Sequence, residues 1–174
     1  NILIGARNDS AGAWTKRSDT TAGTITSGGT SSIGTTTAMA VFNGSLYAGT
    51  SKPDGAEIYR YNGSTWTRVS STTPGAIGTS TTLNINSISA MTVWNGQLYA
   101  GTAEPGAAEV YRYNGNSSWT KISSSTAGAI GGNSTTTAID SISAMAVHGG
   151  KLYVGTTKAN GAEIARYNGP GLPP

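Results

Sequence analysis

The sequence predicts an all-β fold in which one four-stranded antiparallel unit is repeated about three times along the chain. Two observations lead there. A hairpin-like stretch occurs as Ala38-Met-Ala-Val-Phe-Asn-Gly-Ser-Leu-Tyr-Ala-Gly-Thr50, as Ala90-Met-Thr-Val-Trp-Asn-Gly-Gln-Leu-Tyr-Ala-Gly-Thr102, and as Ala144-Met-Ala-Val-His-Gly-Gly-Lys-Leu-Tyr-Val-Gly-Thr156. Landmarks recur with it: Trp14, Trp66 and Trp119, Met39, Met91 and Met145, and Leu46, Leu98 and Leu152 return about every 50 residues. No stretch shows the 3.6-residue apolar period of a helix.

The middle copy shows how each element arises. Ser89–Asn95 and Gln97–Thr102 are apolar runs on either side of Asn95-Gly96. Asn-Gly and Gly-Gly reach the positive φ values of a type I′ turn, so the two runs form a tight hairpin. A turn at Glu104-Pro-Gly106 leads to a third strand, Ala108–Tyr113, and Asn114-Gly115 leads to a fourth, Trp119–Ile122. All four are rich in β-branched and aromatic residues and are bounded by Gly, Asn and Pro. The connections between copies carry Thr20-Thr-Ala-Gly23, Thr72-Thr-Pro-Gly75 and Ser125-Thr-Ala-Gly128, of which Pro74-Gly75 suits a type II turn. In these Ser/Thr/Gly-rich stretches Ile25, Ile77 and Ile130, then Ile33, Ile85 and Ile139, recur as large apolar residues. They are expected to be buried pegs. The chain is therefore one repeat domain over residues 1–174, with a strand segment at 1–17 and repeats near 38–70, 90–122 and 144–167.

A period near 50 is that of propeller-like repeats. Tyr59-Arg-Tyr-Asn-Gly-Ser-Thr-Trp-Thr67 and its copies resemble the strand-three-to-four segment of kelch-type β-propellers. The double glycine of that family's second strand is here Ala-Gly or Val-Gly before Thr. The resemblance spans essentially the whole chain. It implies blades of four antiparallel strands and little about activity.

Composition narrows the function classes. The 174 residues hold 36% hydrophobic and only 11% charged side chains, against about 25% charged in an ordinary domain. Gly, Ser, Thr and Ala make up the difference, a charge-poor surface that points to an extracellular or cell-surface protein. No cysteine is present, so no disulfide forms. Net charge is +3, with the eleven basic residues scattered singly, unlike the basic stripe of a nucleic-acid binder. No apolar run approaches the roughly 20 residues of a membrane span.

Catalytic and metal chemistry find few of the residues they need. His148 is the one histidine and falls at the hairpin turn, without a nucleophile–base set around it. Neither an Asp-rich calcium loop nor a zinc spacing occurs, and no cofactor is implied. Glu57, Glu109 and Glu163 recur once per copy, and with Arg60, Arg112 and Arg166 three residues later they read as a polar network between blades.

The ordering of strands is the strongest functional signal. Trp14-Thr-Lys-Arg17 has the pattern of a fourth strand but precedes the first repeat, whereas Ala162-Glu-Ile-Ala-Arg-Tyr167 is a third strand not followed by its Trp strand. The segment Asn1-Ile-Leu-Ile-Gly-Ala6 is an additional apolar, strand-prone run. Three blades are fewer than the four to eight of a closed propeller. Exchange between identical chains solves this: Ile2, Leu3, Ile4, Trp14 and Thr15 form the donated strand, and Glu163, Ile164, Arg166 and Tyr167 form the acceptor edge. Such a contact makes a ring or a fibre. A fragment of a longer propeller or a chain closed on itself is the alternative explanation of the same pattern. The expected function is thus a non-catalytic structural protein that assembles head to tail with copies of itself. The competing reading is a multivalent lectin-like protein in which Phe42, Trp94 and His148, variable among otherwise constant neighbours, face solvent and stack on glycans; the expectation set against it for Phe42 and Trp94 is packing against the next blade or subunit. Sequons at Asn8, Asn43, Asn62, Asn116 and Asn133 are candidate glycosylation sites.

Overall fold

The computed structural model describes residues 15–79, 82–131 and 136–169. Within them the fold is all-β, an open antiparallel sheet of three successive meanders. Unit 1 comprises β1 (Thr35–Phe42), β2 (Ser45–Ser51), β3 (Ile58–Tyr61) and β4 (Trp66–Arg68). Unit 2 comprises β5 (Ser87–Trp94), β6 (Gln97–Ala103), β7 (Val110–Gly115) and β8 (Ser118–Lys121). Unit 3 comprises β9 (Ser141–His148), β10 (Lys151–Thr157) and β11 (Ile164–Tyr167). In unit 2 the strands lie within two residues of their expected bounds, whereas residues 15–17, expected to belong to a fourth strand, form none, a correction to that expectation. The hairpin turns take the expected backbone, with Asn43 and Gly44, Asn95 and Gly96, and Gly149 and Gly150 all at positive φ.

Consecutive units are only lightly joined by ladder bonds. Ser51 pairs with Ser87 and Ala103 with Ser141, one residue pair at each seam. The ladders of β1 with β2 and β5 with β6 each slip by one residue, at Thr37 and Ser89. That bulge turns a hydroxyl toward the next unit: Thr37 Oγ1 donates to the Ile88 carbonyl at 2.7 Å, and Ser89 Oγ to the Ile142 carbonyl at 2.7 Å.

Packing, more than backbone bonding, holds the units together, because the apolar clusters sit in the seams. The largest gathers Phe42, Tyr47, Ile58, Val69 and Ile77 of unit 1 and its following loop with Ile85, Ile88, Leu98, Tyr111, Tyr113 and Trp119 of unit 2. A second joins Ala90, Ala108 and Val110 to Ile139, Ile142 and Val154. Glycine is required here for close approach: a Cβ on Gly49 would lie 2.6 Å from Ile88 Cβ, and one on Gly101 2.6 Å from Ile142 Cβ.

The isoleucine pegs divide by position. Ile77, Ile85 and Ile139 are fully buried as expected. Ile25, Ile33 and Ile130 are only partly buried, a correction to the expectation for all six. Ile25 and Ile33 precede unit 1, where among the described residues no earlier unit covers them.

Candidate assembly interface

A charged cluster links the strands of each complete unit. Glu57, fully buried, accepts from Arg68 Nη1 at 2.6 Å and from the Tyr59 hydroxyl. In unit 2 the fully buried Glu109 accepts from Lys121 Nζ at 2.8 Å and from the Tyr111 hydroxyl. Burial, then the hydrogen bond to the Glu57 carboxylate, push the Tyr59 hydroxyl far above the ordinary tyrosine range. The cation comes from the fourth strand, which corrects the expectation that Arg60, Arg112 and Arg166 pair with the glutamates. Residues three apart on a strand point to opposite faces. Strand pairing instead puts Arg68 opposite Tyr59, and Lys121 opposite Tyr111, on the face of the glutamate two residues back. The sequence signal was the basic residue two places after each repeat tryptophan: Lys16, Arg68 and Lys121.

Glu163 has the same backbone setting. Thr156 Oγ1 donates to its carbonyl and accepts from its amide, as Thr50 does with Glu57 and Thr102 with Glu109. Two features differ: Ala165 stands where the tyrosine hydroxyl would be, and no strand beyond β11 occurs among the described residues. Glu163 is half-buried, with the Thr136 amide donating to it at 3.1 Å. Along the outer edge of β11, Ile164 is 81% exposed, Arg166 is exposed and Tyr167 is half-buried.

At the opposite end, residues 15–17 lie against unit 1. Trp66 Nε1 donates to the Arg17 carbonyl at 2.8 Å. The equivalent bond one unit on runs from Trp119 Nε1 to the Val69 carbonyl at 2.7 Å, where Val69 directly follows β4. Arg17 and Val69 each stand three residues after a repeat tryptophan. The segment ending at Arg17 therefore sits beside unit 1 where the fourth strand of a preceding unit runs. Thr15 in it is exposed, while Ile2, Leu3, Ile4 and Trp14 lie outside the described residues.

The aromatic residues of the sugar-binding reading are structural at two of three positions. Phe42 packs between Tyr47 of its own unit and Tyr113 of the next, with ring centroids 5.9 and 6.4 Å away. Trp94 repeats this with Tyr99 and Tyr167, and its Nε1 donates to the Gly150 carbonyl at 2.9 Å. Both are buried, packed against the next unit rather than facing solvent as the sugar-binding reading requires. His148 is exposed and has only Tyr153, 6.3 Å away, as an aromatic neighbour among the described residues. Asn43, Asn62 and Asn116 are exposed on turns, and Asn8 and Asn133 lie outside the described residues.

Among the described residues no three His, Cys, Asp or Glu side chains gather as a metal site, and no helix is long and apolar enough to cross a membrane. No family model matches the chain, and no curated protein or solved structure matches it either.

Proposed function

We propose that this chain is a non-catalytic structural protein whose units are propeller-type blades that continue from one copy to the next, head to tail, into a fibre or ring. The observation that carries this reading is the pair of equivalent bonds, Trp66 to Arg17 and Trp119 to Val69. The 15–17 segment sits beside unit 1 at the place that the fourth strand of a preceding unit takes, and among the described residues β9–β11 have no fourth strand. A second copy supplies it: the segment through Arg17 of one chain lies along β11 of the preceding chain, in the register of β4 on β3. The exposed, charge-poor surface suits service outside the cell.

The test is the mass and shape of the purified chain, by sedimentation and negative-stain electron microscopy over a range of concentrations. Concentration-dependent fibres or a discrete ring are expected, and removal of residues 1–17 yields monomers. A monomer at every concentration, or a truncated chain that forms the same assemblies, overturns the proposal.

A further inference from the structure

Resting on the head-to-tail reading, we propose that Lys16 of one copy and Glu163 of the adjoining copy form an ion pair that fixes the register and partner choice of the joint. Carboxylate and cation already meet twice within the chain, at Glu57 with Arg68 and at Glu109 with Lys121. In both, the cation is the second residue after the repeat tryptophan and the acid lies two residues before the strand residue it faces. Lys16 is the corresponding cation of the segment beside unit 1, and Glu163 is the corresponding acid of unit 3. Applying the register of Arg60 with Thr67 and Tyr59 with Arg68 puts Arg166 opposite Thr15 and Ala165 opposite Lys16.

Lys16 is placed for this contact. Lys16 is exposed, and its Nζ donates to the Thr20 carbonyl at 3.1 Å, an interaction with one exposed backbone group. In unit 1 Arg68 likewise donates to the Thr72 carbonyl four residues on, and in unit 2 Lys121 to that of Ser125, while each also holds its glutamate. Lys16 thus already makes the local half of the contact that its two counterparts complete with a carboxylate. Ala165 has no hydroxyl to donate to Glu163 as the Tyr59 and Tyr111 hydroxyls do to Glu57 and Glu109.

The pair also bears on register. A strand slipped by one residue would turn Lys16 to the opposite face, away from Glu163. Register is therefore set by charge as well as by apolar contact.

A charge exchange tests this. K16E and E163K chains are each expected to assemble at least tenfold more weakly than the parent, because like charges meet at every joint. Mixed together, the two restore assembly as an alternating copolymer, in which every joint again has opposite charges, and the double variant assembles alone. Circular dichroism and melting of each chain establish that it is folded. Parent assembly that survives both single changes undiminished overturns the ion pair while leaving head-to-tail assembly standing. Weakened single variants that mixing fails to restore also overturn it. A parent that stays monomeric overturns the head-to-tail reading itself.

Discussion

In the middle unit the first strand is covered on both faces. Met91 and Val93 rest on the cluster toward unit 1, while Ala90 and Trp94 are buried toward unit 3. The outer units carry nearly the same residues with one face covered. In unit 1, Met39 and Val41 are 61% and 70% exposed, although Phe42 on the other face is buried. In unit 3, Ala144, Ala146 and His148 are exposed, although Ile142 is buried. The bare faces are complementary in order: the side of unit 3 that would meet a following unit, and the side of unit 1 that would meet a preceding one. Burial in this chain is decided by the neighbour rather than by the residue, as in architectures whose repeats cannot bury their own apolar face.

The largest effect expected from this contrast is at the ion pairs. Lys121→Met leaves Glu109 buried beside the Tyr111 hydroxyl without its cation, which costs about 3 kcal/mol, the lower end for such breakage because the lysine is a quarter exposed. Lys16→Met removes the matching residue of the outer segment and shifts the stability of the dissociated chain by less than about 0.5 kcal/mol. Urea unfolding of both variants below the assembly concentration measures the gap, and equal losses would erase the contrast.

The glycines come next. Gly101→Ala forces a Cβ to within 2.6 Å of Ile142 and costs about 1–3 kcal/mol. Gly155, the same position in unit 3, has nothing nearer than Ala144 Cβ at 3.6 Å, so Gly155→Ala leaves the melting temperature of the monomer unchanged. In an assembly that face meets the adjoining copy at Thr36, the counterpart of Ile88 and Ile142, and the variant weakens association. Loss of stability in both variants would mean that the seam is not what demands glycine.

These contrasts show which parts of the molecule were legible in the sequence. Strands and hairpins were, because alternation, Asn-Gly turns and recurring tryptophans are local signals. The burial of Phe42 and Trp94 was legible only in part, because variation between copies is compatible both with exposure and with packing against the next unit. Each aromatic fits a seam between the tyrosine of its own unit and the tyrosine of the next. Pairing of Glu57 with Arg60 failed for a related reason: proximity along a strand is not proximity in space, and the true partner, Arg68, comes from a turn later. The hydroxyls of Thr37 and Ser89 that stitch the seams were invisible, since a bulge cannot be read from composition.

A smaller effect concerns the aromatic wall at the joint. His148 stands where Phe42 and Trp94 fill the other seams, and Tyr61, the counterpart of Tyr113 and Tyr167, has its one ring neighbour among the described residues in Trp66 of its own unit, 4.9 Å away. His148→Trp supplies the missing ring. It is expected to tighten assembly about threefold to tenfold, in line with aromatic pairs worth about 0.5–1.5 kcal/mol. Sedimentation equilibrium reads this directly, and unchanged association would place His148 outside the joint.

The smallest effect returns to the middle unit, which carries Glu104 where unit 1 has Lys52 and unit 3 has Lys158. Those lysines have partners: Lys52 donates to the Ser31 carbonyl at 2.7 Å, and Lys158 reaches Asp140 at 3.4 Å. Glu104 Oε2 is buried without a hydrogen bond, and burial, followed by the nearby Asp54 charge, raises its carboxyl above the ordinary glutamate range. Raised in this way, the group favours the folded state while protonated, and that contribution is lost as pH rises from the unfolded range through the folded value. Glu104→Gln therefore stabilises the chain slightly at neutral pH, and the gain fades as pH falls below about 4, where both forms of the parent are protonated. Urea midpoints of parent and variant between pH 3 and 8, roughly the span in which a perturbed carboxyl titrates, read the difference. A gain of the same size at every pH would locate the effect in packing, and a loss at neutral pH would mean that the carboxylate is held by contacts that outweigh its burial.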